Sequence, residues 1–198
     1  MAAVKKQSLA SLLTEVCACE ICKDHLPLGP RPIVRAEASA RLMIIGQAPG
    51  TRVHGSGVPW DDKSGERLRH WLAVDDDTFY DQSRVAIVPM GFCYPGANPR
   101  GGDNPPRPEC APEWHERLRR LLPRIELTLL VGTYAQAYYL GAARRKTMTE
   151  TVRCWRDYLP GFLPTPHPSW RTTGWLKRNP WFETEVLPEL RERVAKLL

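Results

Sequence analysis

Nowhere in the 198 residues does an apolar run exceed a few positions, so no segment reads as a membrane span. The opening "MAAVKKQSLASLL" starts basic, but Thr14 and Glu15 follow and no small-residue cleavage site appears. It reads as the start of a helix rather than a signal peptide, and a cytoplasmic location is expected. The glycine-rich loop "GQAPGTRVHGSG" lacks the Lys-Ser/Thr of a P-loop and the GxGxxG of a dinucleotide fold, which argues against an unrelated nucleotide-binding enzyme. No internal repeat and no disordered tail stands out. The length suits one well-packed domain covering 1–198 and is short for two.

Prolines, by contrast, are many: 19 of them, gathered in loops around 27–32, 89–112 and 160–168. The net charge of +6 favours an anionic partner without naming one. "SLASLLTEVCACEIC" carries helical periodicity through Leu9, Leu12, Leu13 and Val16. The aliphatic run Leu42–Ile45 ends in Gly46 and reads as a strand buried on both faces, with a loop following to about Lys63. "SGERLRHWLAV" offers Ser64 as a cap and Leu68, Trp71 and Leu72 as one apolar face. "RVAIVPMG" is a second strand, ending at Pro89, and the stretch 91–110 after it has no periodicity. "APEWHERLRRLL" is an amphipathic helix with Pro112 near its start. A third strand "IELTLLVG", a helix "TYAQAYYLG" and a short fourth strand in "FLPTPHPSW" follow. The closing helix "WFETEVLPELRERVAKLL" is expected to kink at Pro188. Strands alternating with helices predict an α/β three-layer sandwich, a central four-stranded parallel sheet flanked by helices.

Two loops then fall on the carboxyl rim of that sheet, where ligands collect in open α/β folds. One runs from Gly46 through Gln47, Ala48, Pro49 and Gly50 to the Pro59-Trp60 pair; the other is "HPSWR", His167 to Arg171. A strand, "GQAPG", a Pro-aromatic pair and a late "HPS" at another strand end resemble the uracil-DNA glycosylase superfamily. The resemblance runs from about residue 17 to 180. It implies a DNA glycosylase of base excision repair that cleaves the N-glycosidic bond of uracil or another deaminated base. The alternative is a DNA- or nucleotide-binding protein on the same fold with little or no turnover. The flipped base would sit against the backbone of Gly46–Gly50, which can approach closely because it carries little bulk. Trp60 would stack on its ring, and His167 would donate to the base carbonyl where charge grows. Gln47 would orient the attacking water or line the pocket. Ser169, Trp170 and Arg171 would touch the minor groove, with Trp170 or Arg171 as a wedge. Lys177 and Arg178 would line phosphates, whereas "RLRR" at 117–120 and "ARRK" at 143–146 read equally well as solvated helix faces. Two departures matter. Relatives often carry a carboxylate in or beside the first motif to activate water, and here Asp61 is the expected substitute, with Asp62 and His54 behind it. Relatives also end the second strand in an Asn that reads the uracil edge, and alignment through Cys93 puts Pro89 there. Proline offers no N–H and no polar side chain.

Of six cysteines, Cys19 and Cys22 form a ligand-type CxxC pair, while Cys93 and Cys110 flank the aperiodic loop. This resembles the iron–sulfur, family 4-like branch of the superfamily, in which such a set holds a [4Fe–4S] cluster as a structural pin. Zinc on four thiolates is the competing metal, and four unrelated core thiols the plain alternative. Cys17 and Cys154 fit no ligand slot. DNA is the expected partner, no membrane is expected, and the chain is expected to be a monomer.

Overall fold

The computed structural model describes residues 7–198. Four strands, β1 (Leu42–Ile45), β2 (Val85–Ile87), β3 (Leu127–Val131) and β4 (Phe162–Thr165), form one sheet in the order β2-β1-β3-β4. Every neighbouring pair is parallel, with Leu42 opposite Val85 and Leu127, and Val131 opposite Thr165. Pro164 sits in β4 at an edge of the sheet, where a missing N–H breaks no second ladder. At the other edge, chain arriving from the N-terminal side runs antiparallel to β2: Arg35 and Ile87 exchange backbone hydrogen bonds at 3.0 and 2.7 Å.

Alternation along β1 builds the three layers. Leu42 and Ile44 face one core, shared with helices α3 (Lys63–Leu72), α4 (Asp76–Tyr80), α7 (Met148–Arg153) and α9 (Leu187–Leu197). Met43 and Ile45 face the other, shared with α1 (Leu9–Cys17), α5 (Cys110–Arg120) and α6 (Thr133–Leu140). All four β1 side chains are at most 1 % exposed, and each contributes about 1.5–3 kcal/mol by leaving water. The α/β sandwich with a four-stranded parallel sheet is therefore the architecture expected from the sequence.

The differences are local. The loop expected up to Lys63 contains a helix, α2 (Thr51–Ser56), and another, α8 (Thr172–Arg178), follows "HPSWR". Helix α3 is capped by Asp62 rather than Ser64: the Asp62 carboxylate accepts the Gly65 N–H at 2.8 Å. At Pro188 the chain does not simply kink. A π-turn, Phe182–Val186, precedes α9 and delivers the proline to its first turn, where the lost N–H costs nothing. No helix among the described residues is long and apolar enough to cross a membrane.

Candidate active site and cysteine cavity

Because the strands are parallel, their carboxyl ends share one rim, and a cleft of about 390 Å³ opens there. Gly46, Gln47, Ala48, Pro49 and Gly50 line it, as do Trp60, Asp62, Pro89, Asp103 and the residues His167, Ser169, Trp170 and Arg171. The two loops singled out in the sequence thus meet in one pocket.

Trp60 is held in an unusual way. Its φ is +58°, in the left-handed region that favours glycine. Its carbonyl accepts from Arg69 at 3.3 Å, and a Cβ on Gly65 would lie 1.8 Å from that oxygen. Its ring passes so close to the first motif that a Cβ on Gly46 would lie 2.6 Å from Cζ2. Glycine at 46 and 65 is what lets the indole enter the pocket. There it meets the His167 ring, centroid to centroid at 5.6 Å and tilted by 32°. Backbone strain of this kind persists only where the surroundings over-determine it.

His167 is set by the end of β4. The Thr165 carbonyl accepts from the Gly132 N–H at 2.9 Å and from the Gln136 amide at 2.8 Å, fastening the strand end to α6. The His167 carbonyl accepts from the Thr172 hydroxyl, and the ring rests against Gly132. Burial pushes the imidazole below its ordinary range, against the opposing pull of Asp62, so His167 is neutral at neutral pH. A neutral imidazole still donates through one N–H. Arg67 of α3 supports the same loop, donating to the Ser169 carbonyl at 2.7 Å and to the Thr173 hydroxyl at 3.3 Å. Gln136 and Arg67 are supports that the sequence reading missed; neither stands in a motif, and only the sheet topology brings them there.

The other expected residues separate into those inside and those outside. Gln47 lines the pocket, but its amide nitrogen donates to the Asn104 carbonyl at 3.0 Å, so it anchors the 101–104 segment. Asp61 is not in the pocket lining and faces Arg52 at 3.5 Å. His54 is outside it too, on α2, with its Nδ1 buried and without a hydrogen-bond partner among the described residues. Trp170 is 74 % exposed with the Arg171 guanidinium 5.0 Å from its ring centre. Lys177 and Arg178 lie exposed on the last turn of α8, away from the pocket wall.

Pro89 lines the pocket, and its polar group is already taken. Its carbonyl accepts from His115 Nε2 at 3.1 Å, while His115 Nδ1 accepts from the Tyr139 hydroxyl at 2.7 Å. A carbonyl can only accept, which fixes that tautomer. The next two amides, Met90 and Gly91, donate to the carbonyls of Gly46 and Gln47, both at 2.9 Å. This wall holds the first motif in place, with the Pro89 carbonyl and the Met90 and Gly91 N–H groups all engaged within the fold.

The same stretch of chain borders a second, smaller cavity, with about 20 Å³ of free space, lined by Cys19, Cys22, Cys93 and Cys110 together with Ile21, Leu26, Phe92 and Trp114. Cys17 and Cys154 do not line it. Burial pushes the Cys93 thiol up to about 11 and the Cys110 thiol up to about 12. The Phe92 N–H points at Cys110 Sγ, 3.4 Å away. Among the described residues, no three His, Cys, Asp or Glu side chains gather closely enough to hold one metal ion.

A family model described as the uracil DNA glycosylase superfamily matches residues 34–191. That span takes in the whole sheet, the Gly46–Gly50 loop, Trp60 and the His167 loop, and leaves Cys19 and Cys22 outside it. With the match covering most of the chain and the whole sheet, the chain belongs to the uracil DNA glycosylase superfamily.

Proposed function

We propose that this protein, acting as a single-domain monomer, hydrolyses the N-glycosidic bond of a deaminated base in DNA. The observation that carries this reading is the convergence of the Gly46–Gly50 backbone, the Trp60 ring and neutral His167 on one cleft of about 390 Å³. Breaking the bond leaves negative charge on the base and positive charge on the sugar. A base extruded from the stack would lie along the glycine-lined backbone with Trp60 against its face, a contact worth about 1–3 kcal/mol. His167 would donate one hydrogen bond to the base oxygen, strengthening as charge develops there. Ser169, Trp170 and Arg171 border the cleft and would meet the duplex there, and Lys177 and Arg178 extend positive charge along α8. The base is left unspecified because Pro89 carries no polar side chain to read a base edge. Duplex oligonucleotides containing uracil, hypoxanthine or xanthine, incubated with the protein and then treated with alkali, identify it. Cleavage of at least one supports the reading. Salt-sensitive binding with no cleavage of any would replace it with a binding protein on a glycosylase fold.

We also infer a metal centre of the iron–sulfur kind at Cys19, Cys22, Cys93 and Cys110. The donors are four thiols on one cavity, two of them too deeply buried to ionise without a compensating cation. Zinc on the same four thiolates is the alternative, and metal analysis of the purified protein separates the two. The cluster supplies iron–thiolate bonds that tie the N-terminal segment to the 91–110 loop, and no catalytic step passes through it.

A further inference from the structure

Three carboxylates stand near the pocket, and their surroundings tell them apart. Asp61 turns out towards Arg52, and Asp62 is committed to capping α3. Asp103 lines the pocket, and among the described residues no hydrogen bond or ion pair holds its carboxylate. It comes right up to the first motif: its Oδ2 lies 3.3 Å from where a Cβ on Gly50 would stand. Gly50 has a φ of −81°, open to any residue, and it precedes α2 without a side-chain cap. A side chain there would press on the Asp103 carboxylate, which would have to give by a few tenths of an ångström.

The delivery of Asp103 is equally specific. An isolated bridge joins Ala97 to Asp103, and the Asn98 N–H donates to the Gly102 carbonyl at 2.7 Å, closing a small hairpin. Gly101 and Gly102 turn it with φ of +92° and +85°. The Arg171 guanidinium lies against both, 2.8 Å from a Cβ position on Gly102. The hairpin and the "HPSWR" loop therefore brace each other at the mouth of the cleft.

We propose that Asp103 is the catalytic carboxylate of this pocket, accepting the proton of the water that attacks the sugar. The assignment rests on the base-excising reading above. In the reaction the C1′–N bond breaks and its electron pair leaves with the base. The water oxygen bonds to C1′, one of its protons passes to Asp103, and Asp103 later returns that proton to solvent. The departing base, its charge met by His167, takes a proton from solvent. Ahead of proton transfer the carboxylate faces the positive charge growing at C1′. Partial burial and the nearby Asp62 raise the affinity of Asp103 for a proton, and Arg171 opposes them, which suits a general base.

The test is single-turnover cleavage, with enzyme in excess, of whichever base the oligonucleotide panel identifies. Asp103→Asn should cut the rate about a hundred-fold or more while leaving its melting temperature and its affinity for undamaged duplex near the parent's. Asp103→Ala should lose the rate likewise and regain part of it when formate, a diffusible carboxylate, is added. Asp103→Asn cleaving within about three-fold of the parent would overturn the assignment. So would an unchanged rate with a changed order of preferred bases, which would make Asp103 a reader of the base. A hundred-fold loss in Asp61→Asn with none in Asp103→Asn would transfer the role to Asp61. A parent that cleaves no base sinks the glycosylase reading and this assignment with it; the other outcomes leave that reading standing.

Discussion

The cleft and the cysteine cavity share one short stretch of chain, residues 89–93, yet they are built from opposite materials. The cleft is largely made of backbone: four glycines border it, and a tryptophan and an aspartate press close to the Cβ positions of two of them. The cavity is made of side chains, four thiols set among Ile21, Leu26, Phe92 and Trp114. A wide, open, glycine-lined space suits something that enters and leaves. A narrow, apolar, thiol-lined one suits something bound once and kept. The Met90 and Gly91 amides, spent on the Gly46 and Gln47 carbonyls, are the mechanical link between them.

The comparison breaks most visibly at the cavity. Anaerobically purified protein should be brown and carry about four irons per chain. Cys93→Ala should bleach it and lower the melting temperature by about 10 °C or more, the equivalent of roughly 3–5 kcal/mol in a chain of this size. Cys154→Ala should do neither. Colourless protein carrying one zinc would keep the site and change its metal, and no metal at all under reducing conditions would remove it. At the cleft, His167→Ala should lose about a hundred-fold or more in cleavage, as for removal of an oxyanion-hole donor. Its affinity for undamaged duplex should fall little, since phosphate contacts dominate there. Equal cleavage by His167→Ala would remove the histidine from the chemistry.

The link itself can be titrated. His115 is 1 % exposed and its ring is pushed down to about 4 by burial, against the hydrogen bond to Pro89. The unfolded chain binds that proton near pH 6.5 and the folded chain does not. Stability on this account is full above pH 6.5 and falls as pH drops towards 4, by about 3 kcal/mol. Urea unfolding at several pH values, compared with His115→Gln, isolates it: the variant should show a shallower acid slope, and an identical slope would refute the assignment. Smaller effects belong to the glycines. Gly65→Ala must displace the Trp60 carbonyl and should cost about 1–3 kcal/mol, weakening base capture as well. Gly55, within α2 and with nothing near its Cβ position, should behave oppositely. Gly55→Ala should stabilise by about 0.4–1 kcal/mol in the same melts.

The four strands were legible as short, almost unbroken apolar runs, and helices α1, α3 and α5 by apolar residues spaced along one face. Helices α2 and α8 were not. Each is short and holds a glycine, Gly55 or Gly174, so local propensity argues against a helix that tertiary packing imposes. Helix α7 left a readable sign, the Thr147–Glu150 capping box, with both reciprocal hydrogen bonds present. At the site, Gly46–Gly50, Trp60 and His167 were legible as motifs and do share one pocket. Asp61 looked favourable because it follows Trp60 directly. The left-handed turn at Trp60 and the α3 cap at Asp62 place Asp61 on the outer side instead. Asp103 was hidden in a segment with no periodicity, where only the hairpin closure gives it an address.

One feature of the sheet bears on how the protein survives at high concentration. Its β2 edge is zipped to the chain around Arg35, and its β4 edge carries Pro164. Neither edge offers a free row of donors and acceptors to another copy, so strand-by-strand growth into larger assemblies is blocked at both ends. The guard at β2 is only a pair of backbone bonds between Arg35 and Ile87. The Ile87 amide can exchange with solvent only when residues around Arg35 lift away, so its exchange rate reports how often that edge stands open.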